Sequence, residues 1–304
     1  KDNVRTAENC VLFGQNINAG SCLGGLTKNI TLSGNSRILN TTNAENSLVG
    51  FGFGLMMNGS SGVFLMKQLD FLLLGIDHLV NTYNIIRSIK DNYPNGSFTI
   101  IATIVDSGYD GPQSSFNNFY DLCAIARVDG FNVNNKADAD HLFTKEFLQP
   151  GFRIIALSQR LSREELNETA VPIKKLANGN IFQYSEGDDA TIVSLNFSLP
   201  QALLLTEYLA EKNIQTTHYQ INNITNSNWE EIIQNVSITK KIIIIDDSKS
   251  MLTSADQLLA ELCGMHIQKI IIKRDLKDNW LYPVSDHFEI NHEKILNLIN
   301  SKIK

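Results

Sequence analysis

The sequence predicts an α/β protein of two domains, each a mostly parallel sheet flanked by helices. Short runs rich in β-branched and aromatic residues alternate with helix-like runs along the chain. Such alternation is typical of parallel strands joined by crossover helices. A long polar stretch, residues 162–189, interrupts the alternation, which then restarts. The length of 304 residues also suits about two domains.

The first domain is expected to span residues 1–165. Its predicted strands are bounded by Gly, Asn or Asp and read CVLFGQNI, SRILNTT, GVFLMK, FTIIATIVD, FNVNN and RIIALSQ. A helix is predicted over residues 70–90, where Phe71, Leu74, Ile76 and the run from Leu79 to Ile86 recur at roughly helical spacing. The stretch KADADHLFTKEFL separates polar from apolar positions and predicts another helix.

The second domain is expected to span residues 189–304, after a linker at 166–188. Its predicted strands read ATIVSLNF, IQTTHYQI, KKIIIIDD and IQKIIIK. Helices are predicted at 200–212, near 227–235, near 253–263 and from about 291. The chain therefore repeats the same alternation twice, which predicts a second sheet with its own helices.

Composition argues against several classes of function. The formal net charge is −6 and no basic stripe is present, so nucleic acid is not an expected partner. The run FLLLGIDHLV is too short to span a bilayer, so no membrane segment is expected. No C-x-x-C pair occurs, which argues against a zinc site and a disulfide framework; the cysteines are Cys10, Cys22, Cys123 and Cys263. We expect the cytoplasm or an organelle matrix.

Two short motifs resemble ligand sites but fit them poorly. GFGFG at residues 50–54 lacks the third glycine of a dinucleotide-binding turn, so these glycines are expected to allow close packing of a helix against the sheet or another subunit. IIIIDDSKS ends a strand in Asp246 and Asp247, as some metal sites do. Two carboxylates do not complete an octahedral oxygen shell, so a polar strand end that opens a helix is favoured and no metal ligand is assigned.

A single acid, Glu45, stands where a strand gives way to a glycine-rich helix start in NTTNAENSLVGFGFGL. No nearby residue obviously neutralises it. One interpretation is a solvated acid stabilised by the positive end of the helix dipole. The other is a carboxylate held there for chemistry, and the residues alone leave both open.

Several stretches in order resemble the second half of transketolases and the beta subunits of 2-oxo acid dehydrogenases. They are NAENSLVGFGFGLMMNG, LDFLLLGIDHLVN, VDSGYDGPQSSF, DGFNVNNKADADHLF and IIALSQR, followed by DATIVSLNFSLPQALLLTEYLAEKNI and KKIIIIDDS. The resemblance covers nearly the whole chain. It implies a pyrimidine-binding domain with a thiamine diphosphate-binding fold, followed by a transketolase C-terminal-like domain.

This resemblance implies roles for two residues in binding thiamine diphosphate. Glu45 falls on the family's glutamate that contacts the aminopyrimidine ring, where a half-desolvated carboxyl can share a proton with a ring nitrogen. The small and apolar neighbours Leu48, Val49 and Gly50 suit that environment. Phe71 matches the aromatic residue that stacks on the ring. A core position on an amphipathic helix remains the alternative for Phe71.

The resemblance also implies substrate residues in the loop DSGYDGPQSS and after it. Asp110 matches an aspartate that faces the donor sugar, Ser114 stands where a histidine is usual, and Val105 replaces another histidine. Arg160 lies one place from an arginine that grips sugar phosphate. The missing histidines argue against ordinary transketolase activity on phosphorylated sugars, because cations and general acids are lost. A plain surface loop remains the alternative for Asp110 and Ser114.

The half of the family that holds the diphosphate and Mg²⁺ is not found in this sequence. VDGFNVNN has only a superficial likeness to the G-D-G…N-N motif, because its spacer is too short and Phe131 and Val133 alternate as on a strand. The resemblance therefore implies a partner subunit, or a missing first half, in a heterotetramer or a dimer of halves. We expect a transketolase-like enzyme acting on a ketose or 2-oxo acid; a 2-oxo acid decarboxylase beta subunit and a catalytically silent scaffold are the alternatives.

Overall fold

The computed structural model describes residues 8–89, 95–106, 111, 116–163, 170–225, 228–274 and 288–301. Within these ranges the chain forms two six-stranded sheets with helices packed against them, which confirms the predicted α/β class. Every predicted strand is present. Among the same residues, no helix combines the length and apolarity needed to cross a membrane.

The first sheet is parallel at every pairing and has the order β2-β1-β3-β4-β6-β5. Its two central strands carry long buried runs, as expected for a sheet covered on both faces. The strands are β1 Cys10–Gly14, β2 Arg37–Asn40, β3 Ser61–Met66, β4 Ser97–Ile104, β5 Asp129–Val133 and β6 Gly151–Ser158. The α-helices here are Glu45–Met57, Tyr83–Ser88, Phe119–Ala126 and Lys136–His141. The helix Phe119–Ala126 was not predicted.

The helical segment predicted at 70–90 is present but is not one regular α-helix. It runs from a 3₁₀ turn at Leu69–Gly75 through a π turn at His78–Thr82 into the short α-helix Tyr83–Ser88. Its buried side also differs in part from the one expected, because Leu72 is fully buried while Leu74 is 61% exposed. The change of winding turns Phe71 and Leu74 away from the core. Another π turn, Leu142–Glu146, continues the helix Lys136–His141.

The second sheet has the order β12-β11-β9-β10-β8-β7. Four strands are parallel, and β8 pairs antiparallel with both β10 and β7. The strands are β7 Lys174–Leu176, β8 Ile181–Ser185, β9 Ala190–Leu195, β10 Thr216–Ile221, β11 Lys241–Asp246 and β12 Gln268–Lys273. The α-helices are Leu199–Glu211, Glu230–Thr239, Asp256–Glu261 and His292–Asn300.

The expected linker at 166–188 is therefore wrong over most of its length. Strands β7 and β8 both lie inside it and complete one edge of the second sheet. Their sequence is polar because the outer strand has only one buried position, Leu176. Polarity there indicated an edge hairpin rather than a free connection. Residues 164–169 lie outside the described part of the chain.

The three glycines of GFGFG have different surroundings on the helix Glu45–Met57. Gly52 faces the sheet, where an added Cβ would lie 2.2 Å from the Phe98 ring. Gly50 faces His78, whose Nε2 would lie 3.0 Å away. A Cβ added at Gly54 would have no other part of the protein within 4 Å. The expected close packing is thus real for Gly52 and Gly50, and it lets the helix approach strand β4.

A seam of buried polar groups joins the two domains. The Asn132 amide donates to Asn222 O at 2.9 Å, and its side chain donates to Asn196 O. Asn117 donates its side-chain amide to Asp247 O at 3.2 Å. Polar groups this deep are stable only when they are hydrogen-bonded. The seam therefore fixes how the second sheet sits against the first.

Candidate functional site

A cavity of about 650 Å³ opens at the carboxyl edge of the first sheet. The ends of β1 and β3 form its floor, and the start of the helix Glu45–Met57 and the 3₁₀ turn Leu69–Gly75 form its walls. Carboxyl ends of parallel strands are where open α/β sheets bind their ligands. Lining residues include Gln15, Glu45, Leu48, Lys67, Phe71 and Leu74.

Two glycines bring these elements together. Gly14 ends β1 at φ +150°, and a Cβ there would lie 2.3 Å from Leu65 O, so no other residue allows β1 to end so close to β3. Gly75 lies against the helix Glu45–Met57, where a Cβ would lie 2.7 Å from Val49 Cγ2. This close approach carries Phe71, one turn earlier, to the side of Glu45.

Glu45 is the first residue of its helix and is half-buried at the cavity wall. Thr41 N donates to Gly14 O at 3.0 Å, which fixes the segment leading into the helix at the end of β1. The preceding residue, Ala44, offers no side-chain cap. Among the residues that the structure describes, none forms a hydrogen bond or ion pair with the Glu45 carboxyl group. The helix dipole stabilises this carboxyl group, and its position at the cavity wall makes it accessible to a ligand.

Phe71 is half-buried and lines the same cavity as Glu45. Its neighbours Asp70 and Leu72 point inward and are 8% and 0% exposed. The hydrophobic clusters of the core do not include Phe71. Phe71 is therefore not a core residue, which was the alternative considered from the sequence. An aromatic face against a cavity is what ring stacking requires.

Two of the predicted substrate residues, Asp110 and Ser114, lie outside the described residues. Val105, which stands where the family has a histidine, is described and is 6% exposed. It lines a second cavity of about 540 Å³, lying against the ends of β4 and β6. This cavity shares Gln15, Lys67 and Gln68 with the first.

Arg160 lies at the domain seam. Its Nη2 donates to Phe197 O at 3.0 Å and lies 3.4 Å from Asp247 Oδ2, and its Nε lies 3.8 Å from Asp106 Oδ2. Burial raises the pKa of Asp247 to about 6, against the lowering effect of Arg274 and Arg160. The side chain thus bridges the two domains and does not line either cavity. Its proposed grip on substrate remains a prediction.

The strand-end acids Asp246 and Asp247 differ from the helix-opening cap expected of them. Asp246 Oδ1 accepts from Ser248 N at 2.9 Å, which is a local turn, and the next helix begins only at Asp256. Asp247 accepts from Phe197 N at 2.9 Å and pairs with Arg160. The described residues contain no group of His, Cys, Asp or Glu suited to hold a metal ion.

Sequence reasoning missed Lys67, Gln15 and Gln68, which line both cavities. A usable signal was present, because Gln15 directly follows β1 and Lys67 and Gln68 directly follow β3. Residues just past the ends of adjacent parallel strands meet at one edge of the sheet. Strand adjacency, which is a tertiary property, was needed to use that signal.

The residues of the first cavity fit one end of thiamine diphosphate. An unpaired carboxyl group, an aromatic ring and about 650 Å³ of space suit an aminopyrimidine ring. The same lining offers a single cation, Lys67, and no metal-binding cluster is found among described residues. The diphosphate and its metal ion are therefore not provided for by these residues.

Comparisons with known proteins show two similar sequences. The chain is 22% identical over 278 residues to the mitochondrial 2-oxoisovalerate dehydrogenase subunit beta of Dictyostelium discoideum, a match that covers 85% of this chain and 71% of that protein. It is 23% identical over 194 residues to the mitochondrial 2-oxoisovalerate dehydrogenase subunit beta 2 of Arabidopsis thaliana, covering 62% of this chain and 53% of that protein. No family model matches the sequence.

The fold is also similar to that of a solved split-gene transketolase, described as an inactive beta4 tetramer. The TM-score is 0.67 at 15% identity, and the match covers 96% of this chain and 91% of the other. This likeness establishes the shared fold over both domains. The sequence similarity to two dehydrogenase beta subunits and the fold of a transketolase beta chain confirm the resemblance of this chain to the transketolase and 2-oxo acid dehydrogenase beta-subunit family.

Proposed function

We propose that this chain is the second-half subunit of a thiamine diphosphate-dependent enzyme that makes or breaks a carbon–carbon bond next to a carbonyl group. The observation that carries the proposal is the cavity shared by Glu45 and Phe71 at the carboxyl edge of the first sheet. A carboxyl group without a partner among the described residues and an aromatic face stand where the family resemblance predicts the aminopyrimidine ring.

The two residues then have distinct tasks. Glu45 binds a ring nitrogen and holds a proton at that atom, a task favoured by its half-buried position because water competes less there. Phe71 offers its face to the ring and fixes its orientation. When bound, thiamine diphosphate supplies an electron sink for cleavage next to a carbonyl. The chain's own residues position the ring and exclude water.

A partner polypeptide, or another part of the same polypeptide, supplies the diphosphate and Mg²⁺ site in this proposal. Support comes from the family resemblance, which assigns the diphosphate and metal site to the other half of the family. The apolar side chains Phe51, Leu73 and Leu74 are 41%, 50% and 61% exposed on the two elements that form the cavity walls, and such a surface suits an interface. We propose a heterotetramer or a dimer of halves.

Transketolase-like transfer is the leading reaction, because DGPQSS and ALSQR look more like that branch. A 2-oxo acid decarboxylase or dehydrogenase beta subunit is the second candidate, and the two curated relatives favour it. A silent scaffold subunit is the third, suggested by Ser114 in place of a histidine. The cytoplasm, or an organelle matrix as for the two mitochondrial relatives, is the proposed compartment.

The test is to prepare this chain alone and with the chain that carries the diphosphate-binding domain. Binding of thiamine diphosphate with Mg²⁺ is measured by calorimetry, and turnover is measured with xylulose 5-phosphate, pyruvate and 2-oxoisovalerate. We expect binding only in the paired protein. Glu45→Gln should retain cofactor binding within a few-fold and lower turnover about 100-fold or more, because proton transfer by a positioned group is lost.

Glu207→Gln is the matched control, since this exposed acid lies on the helix Leu199–Glu211 of the second domain. It should behave as wild type. Failure to bind the cofactor in any combination would contradict the proposal. Cofactor binding without turnover of any of the three substrates would instead support the scaffold.

A further inference from the structure

The two cavities at the carboxyl edge of the first sheet are neighbours with a shared wall. Gln15, Lys67 and Gln68 line both, and the second cavity adds about 540 Å³ to the first. Asn40 holds this wall in place, because its Oδ1 accepts from Ile17 N at 2.9 Å and Asn18 N at 3.2 Å, closing the turn after Gln15. The second cavity therefore lies directly beside the cavity that Glu45 lines.

Lys67 supplies a positive charge where the two cavities meet. It is exposed and directly follows β3, and none of the residues described by the structure makes a hydrogen bond or ion pair with its ammonium group. Lys67 and Glu45 line the first cavity together without forming an ion pair. Among the described residues that line the second cavity there is no Asp or Glu. An ammonium group in a cleft without competing acids attracts anions.

The rest of the second cavity mixes polar side chains with apolar ones such as Leu26, Val105 and Leu157. Asn16, Ser21, Thr103 and Gln159 place amide and hydroxyl groups around it. Such a lining hydrogen-bonds a substrate that carries hydroxyl or carbonyl groups. A branched hydrocarbon chain would leave these groups without partners, which costs binding free energy. The lining therefore offers hydrogen bonds that a polar substrate forms and a branched apolar substrate of the same charge does not.

We propose that Lys67 binds the anionic group of the substrate, and that the amide and hydroxyl side chains of the second cavity bind hydroxyl or carbonyl groups of the same small anion. This inference rests on the proposed function for the reaction but not for the binding. Lys67 is a specificity-determining residue here, and its position between the two cavities places the anion next to the ring site.

The test uses the full chain, alone and with its partner, and three probes: hydroxypyruvate, 2-oxoisovalerate and inorganic phosphate. Binding is measured by ligand-observed NMR and calorimetry, without need of turnover. We expect hydroxypyruvate to bind more tightly than 2-oxoisovalerate. Lys67→Met should weaken hydroxypyruvate binding about tenfold or more, because a charge-assisted hydrogen bond is lost, and Lys67→Arg should retain it within about threefold.

Lys145→Met is the matched control, because this exposed lysine lies on the π turn Leu142–Glu146 and lines neither cavity. Inorganic phosphate distinguishes a phosphate site from a carboxylate site: tighter Lys67-dependent binding of phosphate than of hydroxypyruvate assigns the anionic group as phosphate. Equal binding of every probe by wild type and Lys67→Met, or no binding to either preparation, overturns the inference.

The two proposals fail separately. Lys67-dependent anion binding by a chain that never binds thiamine diphosphate supports the anion site and contradicts the proposed enzyme. Turnover by the paired enzyme with an unchanged KM in Lys67→Met supports the enzyme and overturns the role of Lys67. If both hold, Lys67→Met should raise KM for hydroxypyruvate more than it lowers kcat, because the residue binds the substrate and does not touch the reacting bond.

Discussion

Arg160 Nη2 lies 3.4 Å from Asp247 Oδ2 and joins the first domain to the second. Asp247 is fully buried, while the Arg160 side chain is 21% exposed. A second carboxyl group, that of Asp106, lies 3.8 Å from Arg160 Nε. Arg160 thus lies between two carboxyl groups, and both lose this ion pair when Arg160 is replaced. The ion pair is therefore expected to contribute to the stability of the domain interface.

Arg160→Met should lower the free energy of unfolding at pH 7 by about 1–3 kcal/mol, because it removes the cation beside two buried acids. Asp247→Asn should cost less, since the asparagine oxygen can still accept from Phe197 N. The double variant should lose less than the sum of the two single losses. Urea unfolding of the four proteins measures this coupling, and strictly additive losses would show that the pair does not interact.

Asp247 should also make stability depend on pH. Its pKa of about 6 in the fold lies above the ordinary value of an aspartate, 3.8, so between these pH values the folded state binds more protons than the unfolded state. The contribution of this carboxyl is fully present below about pH 4 and is lost as pH rises through 6. Unfolding free energies at pH 4.5 and 7 should differ less in Asp247→Asn than in wild type.

Asp70 and Asp138 act in the same direction, because burial raises their pKa values to about 6 and about 7. The asparagine variant of Asp247 should therefore flatten the pH profile only in part. Glu207→Gln serves as the control and should leave the profile unchanged. An identical pH difference in wild type and Asp247→Asn would show that this carboxyl does not titrate in the fold as argued.

Gly52 and Gly54 give a matched pair of tests on one helix. Gly52→Ala places a Cβ 2.2 Å from the buried Phe98 ring, which Phe13, Phe53 and Phe152 hold in place. It should destabilise the protein by about 1–3 kcal/mol through overpacking. Gly54→Ala meets no atom within 4 Å and should stabilise by about 0.5–1 kcal/mol through helix propensity. Thermal melting separates them; equal shifts would contradict the packing described.

Arg153 is a buried cation that holds a turn of the first domain. It is 6% exposed and donates to Phe147 O, Gln149 O and Pro150 O at 3.3, 2.6 and 3.0 Å. Arg153→Met should cost about 2 kcal/mol or more, because buried carbonyl groups lose their donors. Arg153→Lys should restore only part of the loss, since an ammonium group lacks the planar fork. Circular dichroism during heating checks both, and a neutral Arg153→Met would refute the role.

The sequence predicted the strands well because their signal is local. Buried parallel strands such as β4 and β11 are short runs rich in Ile, and that composition can be recognised without knowing which strands are neighbours. Strands β7 and β8 were missed because an edge hairpin needs few apolar positions. The winding of Leu69–Gly75 was missed because close packing of Gly75 on Val49, a tertiary contact, decides which side chains turn inward.

The candidate site was likewise predicted only in part. Local pattern and family resemblance were enough to predict the α/β class, the order of the strands along the chain, and Glu45 and Phe71 as candidate residues. The fold was needed to show that Glu45, Phe71 and Lys67 line one cavity and that Arg160 bridges two domains. Parallel strands bring distant segments to one edge of a sheet, and close contacts at Gly14 and Gly75 set how near those segments come, so neither arrangement can be read from local sequence.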